Sequence, residues 1–173
     1  LPKVITNTNV RRLIHQLPNF DLAALTDPND VERAMLVLSF LGHAYVWADP
    51  DHPAQVLPAK LSQPWHDVAV QLGRPPVLSY ASYALYNWYA IDESRPLELG
   101  NIALLQNFMG GVDEEWFILI HIDIELKAIP ALRALQPLQK AIANDDIEQA
   151  ISYLKTIAEA LTQVANTLDR MEE

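Results

Sequence analysis

The 173 residues contain no cysteine. That excludes a disulfide scaffold, a thiolate metal ligand and a cysteine nucleophile. Glycine is scarce, at 5 residues, and with Leu and Ala abundant the composition favours an all-α fold. Basic residues are outnumbered, 12 Lys and Arg against 22 Asp and Glu, for a net charge of −10 and a pI near 4.8. A nucleic-acid groove needs a basic face, and no Lys/Arg cluster occurs anywhere, so no nucleic-acid partner is expected. Long apolar runs are missing too. The stretch from Ala34 to Ala48 carries no formal charge but includes His43, and it falls short of the roughly 20 residues that a spanning helix requires. Leu1-Pro2-Lys3-Val4 leads into polar Thr6-Asn7-Thr8-Asn9 without the features of a signal peptide. The expectation is a soluble, cytoplasmic protein with no membrane partner.

Also absent are internal repeats, a glycine-rich phosphate loop, HExxH and G-x-S-x-G, so hydrolase chemistry has no visible carrier. The histidines at 15, 43, 52, 66 and 121 show no two-His metal spacing on one helix. Half of the residues are hydrophobic, enough to bury a core for one domain or one and a part.

Helix signals recur along the chain. A short helix is predicted over Val10–Gln16 with a stop at Pro18. Asp27-Pro28-Asn29-Asp30 is an N-cap with proline in the first turn, and it opens about five turns through Trp47. Asp49-Pro50-Asp51-His52-Pro53 ends that helix, and the prolines at 58 and 64 predict a loop. Trp65–Leu72 is predicted as a short helix closed by Gly73. Residues 77–89 read as a helix with aromatic stripes: Tyr80, Ala84 and Asn87 on one, Tyr83 and Tyr86 with Ser79 and Ser82 on another. Such stripes are either core or the wall of a cavity, since buried tyrosines need hydroxyl partners. Leu104–Phe108 is predicted as a further helical piece, and Gly110-Gly111 as a hinge. A domain boundary is placed there, giving 1–105 and 106–173. Asn144-Asp145-Asp146 caps a final packing helix from Ile147 to about Arg170, whose apolar positions include Ile147, Ile151, Leu154, Leu161 and Leu168.

The stretch Asp113–Pro130 carries the most information. His121, Asp123, Glu125 and Lys127 alternate with apolar neighbours, as in a strand, but the Asp113 cap, the acids after it and the length favour a helix. Pro130 is expected to kink or end it, and Pro137 to begin a short one. At about 100° per residue the polar residues form two pairs: His121 with Glu125 on one side, Asp123 with Lys127 nearly opposite, each needing a partner or a cavity. Phe117 precedes His121 by one turn. The imidazole is either satisfied by Glu125 or faces a ligand.

Phe117-x-x-x-His121-x-x-x-Glu125 resembles the distal-pocket helix of the haem-dependent tryptophan and indoleamine 2,3-dioxygenases. Other segments resemble the indoleamine 2,3-dioxygenase family in the same order: Leu38-x-x-Leu41-x-x-Ala44-Tyr45-Val46-Trp47, Leu57-Pro58 with Pro64, Leu72-Gly73-Arg74-Pro75-Pro76-Val77-Leu78-Ser79-Tyr80-Ala81, Asn87-Trp88 and Pro96-Leu97. The resemblance implies a small helical domain over residues 1–105 and, over 106–173, the first helices of a larger helical haem-binding domain. It implies a haem b iron oxidoreductase of the kynurenine pathway, a dioxygenase that uses O2 to open the indole ring of L-tryptophan or a related indole to N-formylkynurenine. Tyr80, Tyr83 and Ala84 then fall on the inner substrate pocket, Phe117 and its neighbour Ile118 on the indole contact, and His121 on the distal polar position of catalysis. No metal ligand is assigned within the chain; the proximal haem ligand is expected beyond residue 173. A chain ending at 173 is expected to bind haem weakly or not at all. Two other readings stay open: a non-catalytic helical relative acting by protein contacts, and a haem enzyme of the same fold with different indole chemistry.

Overall fold

A computed structural model describes residues 10–173. It is all-α apart from one two-stranded sheet. The α-helices among the described residues are α1 (Val10–Gln16), α2 (Pro28–Val46), α3 (Ala59–Gln71), α4 (Val112–Ala143) and α5 (Ile147–Asp169), and the strands are β1 (Trp88–Ala90) and β2 (Ile102–Leu104). None of these helices is long and apolar enough to cross a membrane. The chain forms two compact units. One holds the described residues up to Tyr89 together with Leu104–Glu115; the other holds Ala90–Ala103 and Trp116–Glu173.

In the first unit α1, α2 and α3 share an apolar core that includes Ile14, Met35, Leu61, Trp65 and Val68. Helix α2 starts as its residues dictate, with the Asp27 side chain accepting from Asn29 N at 2.8 Å and Pro28 at the first helical position. Its C-terminal end is closed by Arg11, whose guanidinium donates to the carbonyls of Tyr45, Val46 and His52. Gly42 lets α3 approach, because a Cβ there would lie 2.4 Å from the Trp65 ring.

Four expectations are corrected here. Pro58–Pro64 is not a loop throughout. Helix α3 begins at Ala59 and carries Pro64 inside it, buried. A proline this near the N-terminus forfeits one backbone bond, and burial of Leu61, Trp65 and Val68 on the same helix offsets that loss. Residues 77–89 do not form one continuous α-helix. Tyr80 opens a π-helical turn over Ala81–Leu85, in which Tyr86 N donates to Ala81 O five residues back, and the chain then extends into β1. Leu104–Phe108 is likewise not helical, because Ile102–Leu104 is strand β2. In the second unit, α4 runs unbroken through both Pro130 and Pro137. Pro130 is exposed and Pro137 half-buried; at Pro130 water can serve the carbonyl that the proline leaves without a donor.

The final helix begins as expected, Asp146 accepting from Gln149 N. Its role differs. Ile147, Ile151, Leu154, Leu161 and Leu168 are all exposed, while Ala160 and Thr167 are the buried positions. These five positions of the apolar stripe find no cover among the described residues, whereas Ile157 and Val164 of the same stripe are half-buried beside the packing edge of Ala160 and Thr167.

Candidate functional site

Each unit carries part of the set that the sequence singles out. In the second unit, Phe117 and His121 lie one turn apart on α4 with ring centroids 4.4 Å apart and planes tilted by 49°. The His121 Nδ1 stands 2.7 Å from the Phe117 carbonyl oxygen. That oxygen can only accept, so Nδ1 carries the proton, and in the neutral ring Nε2 is the acceptor. A helix carbonyl thus fixes the tautomer. Phe117 is 46% exposed and Ile118 is fully buried, so the first offers an aromatic surface and the second a packing anchor.

The other polar pair on α4 has a different environment. Asp123 is 3% exposed; one carboxylate oxygen accepts from the buried Thr167 hydroxyl at 2.9 Å, and the other lies 3.9 Å from Lys127 Nζ. The two residues line a cleft of about 200 Å³ with Glu98, Gln163 and Asn166. Asp123 therefore ties α4 to α5. Trp116 adds a second tie, donating from Nε1 to Arg170 O at 2.9 Å under the stacked Arg170 guanidinium.

In the first unit, Tyr83 stacks on Phe40 at 6.1 Å, and Phe40 stacks on Phe108 at 4.4 Å. Burial, and secondarily the negative charge of Glu114, push the Tyr83 phenol above its ordinary value of 10.0. Glu114 also holds the preceding loop, its carboxylate accepting from Phe108 N, Met109 N and Gly110 N at 2.6, 2.7 and 3.1 Å. Tyr80 is 44% exposed and Ala84 fully buried. The π-turn hands each a different environment one turn apart. Asn87, fully buried, closes this segment: its amide donates to Tyr83 O and Gln106 O and accepts from Gln106 N. Arg74 pairs with Glu32 and lies over the Tyr86 ring at 5.1 Å, anchoring the Gly73-Arg74-Pro75-Pro76 stretch to α2.

The remaining described histidines have partners: His15 the Tyr45 hydroxyl across to α2, His43 Ser39 O, His52 Asp49 and His66 Asp67. Among the described residues no group of three or more His, Asp or Glu side chains is placed to hold a metal ion.

Comparison with known proteins decides the family. The model of the family described as indoleamine 2,3-dioxygenase matches residues 1–173. The chain belongs to the indoleamine 2,3-dioxygenase family. It is 32% identical to indoleamine 2,3-dioxygenase 1 of Rattus norvegicus over the whole chain and 43% of that protein. It is 31% identical to indoleamine 2,3-dioxygenase 2 of Homo sapiens, over the whole chain and 43% of that protein. Against the indoleamine 2,3-dioxygenase of Saccharomyces cerevisiae the figure is 33%, over 95% of the chain and 40% of the relative. The chain thus spans about two fifths of the length of these indoleamine 2,3-dioxygenases.

Three residues that order local structure within the two units escaped the sequence reading. Glu114 reads as one more acid in a helix's first turn, yet its carboxylate turns back onto the loop. Asn101 is fully buried and donates to the carbonyls of Asp92, Arg95 and Pro96, ordering residues 92–101. Thr167 looks like any polar residue on α5. A polar residue flanked by strong breakers, as Asn101 is by Gly100, was the available signal for the second; the other two had none.

Proposed function

We propose that this chain supplies substrate-contacting residues of a haem-dependent dioxygenase that opens the indole ring of L-tryptophan, or a related indole, to N-formylkynurenine in the cytoplasm. In this reading residues 1–105 form the family's small domain and 106–173 the opening helices of its haem-binding domain. The observation that carries it is the fixed tautomer of His121 beside the exposed face of Phe117.

With haem bound in the complete protein, Phe117 and His121 would contact the substrate and would not ligate the iron. Phe117 offers an aromatic surface, and His121 has its Nδ1 committed to a helix carbonyl, which orients the ring as a hydrogen-bonding group. The axial ligand is assigned to none of the described histidines. Haem b, when bound, supplies the iron that activates O2; the protein supplies binding and orientation. His121 Nε2 accepts the indole N–H, and Phe117 packs against the indole ring, so that the C2–C3 bond is presented in one orientation. Holding a reactant in register raises its effective concentration by orders of magnitude. His121 is not required as a base, because orientation of the ring needs only its lone pair. Tyr80, Tyr83 and Ala84 are assigned as substrate-lining positions by the resemblance alone, with the π-turn setting their spacing.

The test uses the complete gene product, loaded with haemin, reduced and given L-tryptophan and O2. A Soret band that shifts on substrate addition, followed by N-formylkynurenine absorbance, is the expected result. A haem-loaded protein that leaves L-tryptophan and related indoles untouched would end the dioxygenase reading.

A further inference from the structure

The first unit contains a second concavity that none of the predicted site residues lines. It is a recess of about 340 Å³ between the segment after α1, the middle of α2 and the start of α3. Its walls are almost entirely apolar, with Leu17, Phe20, Val37, Leu38, Leu41 and Leu61 among them. The size and lining are those of a small-molecule pocket. Leu17 and Phe20 are 40% and 42% exposed, apolar surface kept in water where a packed loop would have buried it.

Only two charged side chains line it. Asp21 is already engaged, one carboxylate oxygen accepting from Ala23 N at 3.0 Å to cap the 3-10 turn Leu22–Ala24. Lys60 stands at the mouth, donating to Leu17 O at 3.1 Å, with no carboxylate in ion-pairing range among the described residues. One bond leaves two of the three ammonium donors for a ligand. Lys60 and Phe20 also border a neighbouring recess of about 310 Å³ with Ala59, Gln63 and Pro64, so a ligand reaching Lys60 has room for its head.

We propose that this recess binds an apolar monocarboxylate, its hydrocarbon or aryl body between Phe20 and the Val37–Leu41 face of α2 and its carboxylate on Lys60 Nζ. A carboxylate on a lone ammonium satisfies charge and hydrogen bonding together, whereas an amine there would meet like charge. The inference does not depend on the dioxygenase reading, since no haem-facing residue takes part.

The experiment titrates the 173-residue chain with octanoate and 4-phenylbutyrate by calorimetry, with octanol and octylamine as matched probes and amide shift mapping to locate binding. The acids are expected to bind more tightly than octanol, octylamine least, with shifts confined to residues around Leu17–Ala24, Val37–Leu41 and Lys60–Leu61. Lys60→Gln should weaken the acids about tenfold and leave octanol unchanged. Ala24→Phe, a substitution at an exposed lining position, should weaken acids and octanol together. Equal affinity for acid and alcohol, an unaltered acid affinity in Lys60→Gln, shifts elsewhere, or no binding at all would each overturn the proposal. So would binding that appears only when residues 1–9 are deleted, for the occupant would then be the chain itself.

Discussion

Thr167 donates its hydroxyl to the Asp123 carboxylate at 2.9 Å, with both side chains buried between α4 and α5. Periodicity alone singles out Asp123, as half of the polar pair opposite His121. Its partner lies 44 positions away and could not have been selected in that manner. Thr167→Val keeps the shape and deletes the donor, leaving a buried carboxylate oxygen unsatisfied, so a loss of about 1–3 kcal/mol is predicted from the denaturant midpoint. The double variant Asp123→Leu with Thr167→Val should recover part of that loss, since removing both partners spares the desolvation of either. A double variant less stable than the sum of the singles would refute the pairing.

Gly42 is predicted to be intolerant of even one carbon. Alanine at 42 would set its Cβ against the Trp65 ring, which is itself buried and cannot swing away. Gly42→Ala should destabilise the first unit by about 1–3 kcal/mol, the usual cost of an overpacked core, despite alanine's better helix propensity. Thermal melts should show it, and Gly42→Ala combined with Trp65→Phe should melt higher than Gly42→Ala alone.

Glu114 couples a loop to a phenol. Its carboxylate holds three consecutive backbone N–H groups, and its charge contributes to the raised Tyr83 value. Glu114→Ala should accelerate amide exchange at Phe108, Met109 and Gly110 at least tenfold, since charge-assisted bonds of this kind contribute about 1.5–3 kcal/mol each. The sign for Tyr83 follows from linkage. A folded-state pKa above 10.0 means the native state holds the proton more tightly than the unfolded one, so stability falls as pH rises from about 10 through the native value. Tyr83→Phe should flatten that alkaline loss in denaturation measured from pH 9 to 11.

These cases mark how far the sequence could be read. Three caps were legible: Asp27, Asp146 and the Gly73 stop are local chemistry, and each is found in place; the expected Asp113 cap is not, because α4 already begins at Val112 and Asp113 lies within its first turn. Prolines misled twice, in the same direction. Pro58–Pro64 and Pro130–Pro137 read as breaks, but a proline early in a helix or on an exposed face forfeits little, and burial elsewhere in the helix decides. The tyrosine stretch misled for a different reason, because a helical spacing of side chains does not reveal that Asn87 withdraws the backbone into a clamp with Gln106. The apolar stripe of α5 was legible as a stripe; what covers it was not, because periodicity names a face and not its partner. Likewise the pairing of Phe117 with His121 followed from spacing, whereas the carbonyl that fixes the imidazole tautomer did not.

The central claim is that His121 Nε2 receives the indole N–H. The most direct measurement compares L-tryptophan with 1-methyl-L-tryptophan in the complete, haem-loaded gene product and in its His121→Ala variant. The wild type should discriminate by about 5- to 100-fold in kcat/KM, the worth of one hydrogen bond lost between substrate and imidazole. The variant should retain its Soret band and bring the two substrates to within about twofold of each other. An undiminished preference for L-tryptophan in the variant, or loss of haem on removing the imidazole, would contradict the account.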